Sequence, residues 1–250
     1  MRFSVCIDSV LQGYTVAQAL KALKDSGMQS FEFWSWWDKD LDEMAALKAE
    51  YGMNAVAFCT KFVSLTDASK RSLYIEGLKE SIDAADKLGC NMLITQVGNR
   101  LEDISDGKQH ENIVEGLKAC APLLEVSGVT LLVEPLNTVK DHIGYYLDDP
   151  EEAFEIVREA ASTNVKVLYD LYHQSMMGNL DLQSIAENID KIGHFHAAGT
   201  PGRNEISKGH TGYKSIFKYI SQSGYDGYMG LEYFPDEDIA KGLKEIKTIY

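Results

Sequence analysis

Residues 165–199 read VKVLYDLYHQSMMGNLDLQSIAENIDKIGHFHAAG. Two short apolar runs, VKVLYD from Val165 and KIGHFHA from Lys191, flank a polar segment whose residues 180–189 carry a helical pattern. Both runs are rich in β-branched or aromatic residues, and each closes on a polar side chain at or next to its end, Asp170 and His196. Such near-continuous apolar runs are how strands covered on both faces read. The same unit recurs upstream as FSVCID from Phe3, SFEFW from Ser30, NAVAFC from Asn54, NMLITQV from Asn91 and VTLLVE from Val129, and downstream as GYMGLE from Gly227. Between the runs, apolar spacing predicts helices over 16–26, 41–51, 70–88, 109–127, 150–161, 180–189, 213–223 and 236–249. Gly27, Gly52, Gly89, Gly128 and Gly224 stand just past five of these, where a helix ends best on a left-handed residue. Asp149 and Pro150 read as the N-cap and first residue of another.

Eight strand-like runs alternate strictly with eight helices, and 250 residues divided by eight gives about 31 per unit, the size of a βα repeat. Strict alternation implies a parallel sheet. Eight units imply a closed (β/α)8 TIM barrel of α/β class rather than an open doubly wound sheet, and no GxGxxG follows the first strand to support the latter. No linker or low-complexity segment interrupts the chain, so residues 1–250 read as a single barrel domain.

Charge narrows the function classes. With 24 basic residues against 38 acidic ones, the net charge of −14 opposes a nucleic-acid partner, which needs clustered Lys and Arg, and opposes docking on an anionic membrane. No run reaches the roughly 18 apolar residues of a spanning helix, and Asp8 comes too early for a signal-peptide core. Cys6, Cys59, Cys90 and Cys120 are far apart and show no zinc spacing, the pattern of reduced, buried thiols in a cytoplasmic protein.

In such a barrel the chemistry stands where strands end. The first four runs end in or near Asp8, Trp34, Cys59 and Val97, whereas the last four end at Glu134, Asp170, His196 and Glu232. One such acid alone reads as a helix cap or ion-pair partner. Four polar groups at four successive strand ends share one quadrant of the mouth, where three crowded carboxylates would repel each other unless a cation intervened. An O3N donor set suits Mn2+, Mg2+ or Co2+. Near this quadrant lie His173, three residues past Asp170 in the following loop, and Arg203 in the TPGRNE turn. His194, two residues before His196, belongs one layer deeper on the same face and reads as a satisfied core histidine or a support behind the ligands. Asn137 could orient the loop after Glu134. Lys61 could attract an anionic substrate or simply be exposed, and Trp34, Trp36 and Trp37 could wall a pocket or pack the rim. GTPG lacks the Lys-Ser/Thr of a phosphate loop, which points away from a phosphorylated substrate.

The strings VEPLN, YDLYHQ, HFHAAGTPGRNE and GLEY together resemble the xylose-isomerase-like barrel superfamily of sugar isomerases and epimerases, most closely its hydroxypyruvate isomerase branch, over essentially the whole chain. The resemblance implies one divalent metal ion held by Glu134, Asp170, His196 and Glu232. It also implies Glu134 and Glu232 as the acid/base pair, and His173 and Arg203 as substrate contacts, to which the residue reading adds Trp34 and Lys61. One position departs from the branch: its isomerases carry glutamine where His196 stands, and ketose 3-epimerases carry histidine.

The implied activity is isomerisation of a small unphosphorylated α-hydroxy carbonyl compound, of aldose–ketose or hydroxypyruvate type. A glutamate removes a carbon-bound proton to give an enediolate, and the proton returns to the neighbouring carbon. Return to the same carbon from the opposite face gives ketose 3-epimerisation, and a lyase or dehydratase acting on a keto acid could use the same donors. A hydrolase like the abasic-DNA endonucleases of this superfamily would need more His and Asp ligands at early strand ends and a basic face. A non-catalytic binding barrel would not need the full ligand set. The expected partner is a small molecule, with neither nucleic acid nor membrane, and the exposed barrel rim permits a homodimer or homotetramer.

Overall fold

The computed structural model describes residues 1–249, with side chains through residue 246. Eight strands run β1 Arg2–Cys6, β2 Ser30–Phe33, β3 Asn54–Cys59, β4 Met92–Thr95, β5 Thr130–Val133, β6 Val165–Asp170, β7 Ile192–Ala197 and β8 Tyr228–Leu231. They close in sequence order into one parallel barrel, β1 pairing with β8 through Phe3 opposite Met229 and Val5 opposite Leu231. The TIM barrel expected from the alternation is the observed fold.

The helices are α1 Ile7–Val10, α2 Val16–Asp25, α3 Leu41–Tyr51, α4 Arg71–Leu88, α5 Asp106–Ser127, α6 Pro150–Ala160, α7 Leu171–Met177, α8 Leu182–Glu187, α9 Tyr213–Gln222 and α10 Ile239–Ile249. Two of them were not expected. The short α1 and α7 follow β1 and β6 directly, so His173 lies on a helix rather than in a loop. Asp170 starts α7 by accepting hydrogen bonds from the backbone N–H groups of Tyr172 (2.7 Å) and His173 (3.3 Å). The expected cap at Asp149 forms on the Glu151 N–H, with Pro150 in the first turn of α6. Gly52 and Gly128 end α3 and α5 at φ of 64° and 70°, where a Cβ would be strained. Among the described residues no helix is long and apolar enough to cross a membrane.

Alternate strand residues divide between two cores. Outward residues such as Phe31, Phe33, Phe58, Leu131, Val167 and Phe195 pack under the helices. On α6 the buried Ala153, Phe154, Ile156, Val157 and Ala160 repeat at helical spacing and cover this layer. Each large side chain so buried contributes about 1.5–3 kcal/mol. Inward residues Val56, Ala57, Cys59, Ile94, Leu132 and Leu168 fill the lumen along β3 to β6. Elsewhere the lumen is polar. Ser4, Glu32, His194 and His196 are all buried there, where barrels usually place Val, Ile or Leu. The register shifts between Phe31 and Glu32, where β3 carries the extra residue Val56, and between Val167 and Leu168, where β7 carries the extra residue Gly193.

Candidate metal and active site

At the mouth, the strand ends bring four carboxylate and imidazole groups together. Single ligand atoms from Glu134, Asp170, His173 and Glu232 lie within 4.8 Å of one another. His196 completes the group from below, its Nδ1 3.6 Å from Glu232 Oε2 and 4.0 Å from Glu134 Oε1. All five residues are buried. Asp170 serves two purposes, since Oδ1 caps α7 and Oδ2 remains turned toward the group, 3.5 Å from His173 Nε2.

The two glutamates sit in opposed environments. Burial, joined by Glu232 and Asp170, pushes the Glu134 carboxyl up to about 8, against the pull of His196. Its Oε2 accepts from Gln96 Nε2 at 3.2 Å. Burial would raise Glu232 as well, but Arg203 and His196 outweigh it and hold that carboxyl well below the usual range. Arg203 Nη2 donates to Glu232 Oε2 at 2.6 Å, and Trp34 Nε1 donates to Oε1. Arg203 reaches this position from a backbone at φ 58°, a strained conformation for a β-carbon residue, fixed by its N–H on Gly199 O (2.7 Å). Its guanidinium stands 5.3 Å from the Tyr172 ring centroid and 5.8 Å from that of Phe234.

Hydrogen bonds fix where one proton sits on each of two histidines. Asn137 Oδ1 accepts from the N–H groups of Lys140 (3.1 Å) and Asp141 (3.0 Å), so its Nδ2 is the atom facing His173 Nδ1 at 2.6 Å. His173 Nδ1 is therefore an acceptor and Nε2 carries the proton, directed at the carboxylates with no partner of its own. Burial holds His173 down at about 4, which keeps it neutral. An N–H at Nε2 suits a substrate oxygen better than a cation. His196 has the reverse arrangement: its Nε2 donates to Glu32 Oε2 at 2.8 Å, leaving Nδ1 toward the glutamates, buried and without a hydrogen-bond partner. Burial opposes its charged form, yet Glu32 and Glu232 on its two sides raise its pKa well above the ordinary value.

These residues fit a divalent cation. An orphaned imidazole nitrogen facing two buried carboxylates, with a third alongside, is an arrangement that a positive ion relieves. Glu134, Asp170 and Glu232 supply the oxygen donors; the imidazole with a ligand atom within 4.8 Å of all three is His173, while His196 Nδ1 borders Glu232 and Glu134.

Of the other expected contacts, Trp34, His173 and Arg203 line a cavity of about 770 Å³ over the group. Its lining combines Glu134, His173, His196, Arg203 and Glu232 with the apolar Phe62, Val63, Leu73, Leu101 and Leu136. For Lys61, read either as a substrate attractor or as simply exposed, the structure gives a partly exposed side chain. It does not line the cavity, because Nζ pairs with Glu80 on α4 and its stem packs against Gly77. Trp36 donates to Ser81 Oγ (3.1 Å) and packs edge-on against Trp37, so this pair belongs to the rim while Trp34 belongs to the site. All four cysteines are buried and free, with Cys59 in the cavity wall and its thiol raised well above its ordinary pKa by burial.

Sequence reasoning did not single out Glu32 or Gln96. Glu32 is the one acid inside SFEFW, two positions before Trp34 and so on the same strand face. That placement was the available signal. Gln96 follows β4 as Glu134 follows β5, and Thr95 pairs with Val133 in register.

A family model described as xylose isomerase-like TIM barrel matches residues 20–249. Hydroxypyruvate isomerase of Escherichia coli is 26% identical over 253 residues, covering 98% of this chain and 97% of that protein. 2-Oxo-tetronate isomerase of Cupriavidus necator is 30% identical over 167 residues, covering 67% and 64%. The crystal structure of an AP endonuclease, family 2, from Brucella melitensis superposes with a TM-score of 0.92 at 25% identity, covering 99% of this chain and 98% of that one.

Proposed function

Because the chain belongs to the xylose isomerase-like TIM-barrel family, we propose that it is a divalent-metal-dependent isomerase of a small, unphosphorylated α-hydroxy carbonyl compound, of the hydroxypyruvate type. The observation that supports this reading is the meeting of Glu134, Asp170, His173 and Glu232 beside the cavity, with His196 Nδ1 against Glu232 and Glu134. The two relatives bearing isomerase names support the reaction class.

A cation held by these residues would supply Lewis-acid polarisation of a bound carbonyl. The chain's own residues do the rest. Glu134 and Glu232 flank the same point and move the proton between carbon atoms, their environments holding one carboxyl high and the other low, the division expected of an acid and a base. His173, its Nε2–H fixed by Asn137, donates to a substrate oxygen. Arg203 keeps Glu232 ionised and aimed, and Trp34 fixes its other oxygen. Ketose 3-epimerisation is a second reading, favoured by the imidazole at position 196. A hydrolase acting on DNA is disfavoured by the cavity, whose only lysine and arginine are Lys70 and Arg203, with Arg203 committed to Glu232.

The test is turnover of hydroxypyruvate and of a ketose panel by chelator-stripped protein before and after adding Mn2+, Mg2+ or Co2+. Metal-restored isomerisation of hydroxypyruvate is expected. A 3-epimer as sole product selects the second reading, and no conversion of any member with metal bound refutes both.

A further inference from the structure

Beneath the cation site lies a second buried cluster that the reaction does not use directly. Glu32, 1% exposed, stands in the barrel lumen opposite Ala57, where the β2–β3 register shifts past Val56. Three donors converge on its two oxygens: His196 Nε2 on Oε2 at 2.8 Å, and His194 Nε2 at 2.9 Å together with the Ser4 hydroxyl on Oε1. The two rings meet edge to face at 82° with centroids 5.0 Å apart. β8 leaves room for the cluster through Gly230, where a Cβ would sit 2.8 Å from both Glu32 Oε1 and His196 Nε2.

We propose that Glu32 is a positioning residue of the cation site. By accepting the Nε2–H of His196 it fixes the tautomer and ring orientation that present Nδ1 to the ion, while His194 and Ser4 hold the carboxylate in place. The inference rests on the metal-dependent reading above. A carboxylate only accepts, so an imidazole facing it must carry hydrogen on the facing nitrogen, and the nitrogen on the far side of the ring becomes the ligand. Carboxylate partners of this kind orient metal-bound histidines and strengthen them as ligands. The same geometry explains why an acid occupies a lumen position that an aliphatic residue would otherwise fill. It also explains why two histidines two residues apart on β7 have different tasks: His196 reaches the mouth, and His194 anchors Glu32 from below.

Glu32→Gln tests the proposal. Glutamine has the same shape but offers one acceptor oxygen and one donor NH2 group, so the two imidazoles no longer both meet an oxygen. Mn2+ titration calorimetry is expected to show affinity about 10–100-fold weaker than wild type. The visible absorption of the Co2+-loaded variant should shift as the His196 ligand is lost or reoriented, a change that loss of stability alone would not produce. Equal Mn2+ affinity and an unchanged Co2+ spectrum would overturn the positioning role and leave the cation site standing. Failure of the wild type to take up Mn2+ would overturn both. If the variant does not fold, nitrogen NMR of wild-type His196 in the Mg2+-loaded protein decides. A proton on Nε2 is expected, and a proton on Nδ1 overturns the proposal.

Discussion

Loading the site with a cation must expel protons, and the structure sets how steeply affinity follows pH. Glu134 is pushed up to about 8 by burial, with Glu232 and Asp170 adding to the effect. The ion binds only the ionised carboxylate, so below pH 8 each unit of pH weakens apparent affinity about tenfold, or about 1.4 kcal/mol. From pH 8, where Glu134 is half ionised, to pH 6, this group alone weakens binding about fiftyfold. His196 adds to this, because Glu32 and Glu232 hold a proton on it that Nδ1 must lose before ligation. His173, held neutral near 4, contributes nothing in this range. Mn2+ titration calorimetry at pH 6, 7 and 8, in buffers of different ionisation enthalpy, measures both the affinity and the protons released. At least one proton per ion is expected at pH 7, with affinity at pH 6 at least about fiftyfold below that at pH 8. Affinity constant within threefold over this range, with no proton release, would refute the reasoning, because Glu134 and His196 would then already be in their ligating forms.

Further outcomes follow from the same geometry. Glu134→Gln and Glu232→Gln should each lower turnover at least about a hundredfold, since each removes an acid/base group and a ligand together; wild-type turnover in either sinks the assignment. The cation-free protein should lose stability between pH 6.5 and 8. The folded-state pKa of Glu134 lies above its unfolded value, so its contribution is lost as pH rises through about 8. The opposite gain from His173, whose pKa is depressed, is complete by about pH 6.5. The net fall attributable to Glu134 is about 2 kcal/mol, readable by denaturant titration, and saturating Mn2+ should reverse it; stability rising over that interval would contradict the burial argument. Asn137→Ala strands His173 Nδ1 and two backbone N–H groups, and should cost about 1–3 kcal/mol in urea unfolding as well as lower turnover. Lys61→Ala should leave kcat/KM within about twofold, as its Nζ is engaged with Glu80.

Much of this was legible in the sequence because barrel strands carry their pattern locally. Apolar runs, glycine stops and the Asp149–Pro150 start mark the units, and the strand-end rule placed Glu134, Asp170, His196 and Glu232 at one level before any contact was known. What escaped was set by contacts remote in the chain. Glu32 reads as one acid in an apolar strand, and its meaning lies in His194, 162 residues away. The direction of Lys61 is decided by Glu80 on a neighbouring helix rather than by its place after β3. The short α7 was missed because its start depends on Asp170, whose side chain both caps the helix and turns an oxygen to the site. Reading that residue only as a ligand hid the helix that carries His173.

Proton transfer through Glu134 and Glu232 is tested most directly by solvent exchange. The Mn2+-loaded protein is incubated with hydroxypyruvate in D2O and followed by NMR. The account predicts deuterium entering at the carbon beside the carbonyl, in substrate and in product, at a rate that collapses in Glu134→Gln and Glu232→Gln. Product that forms without solvent deuterium would mean that the transferred hydrogen never exchanges with solvent, and would contradict a relay in which Glu134 and Glu232 share the proton transfer.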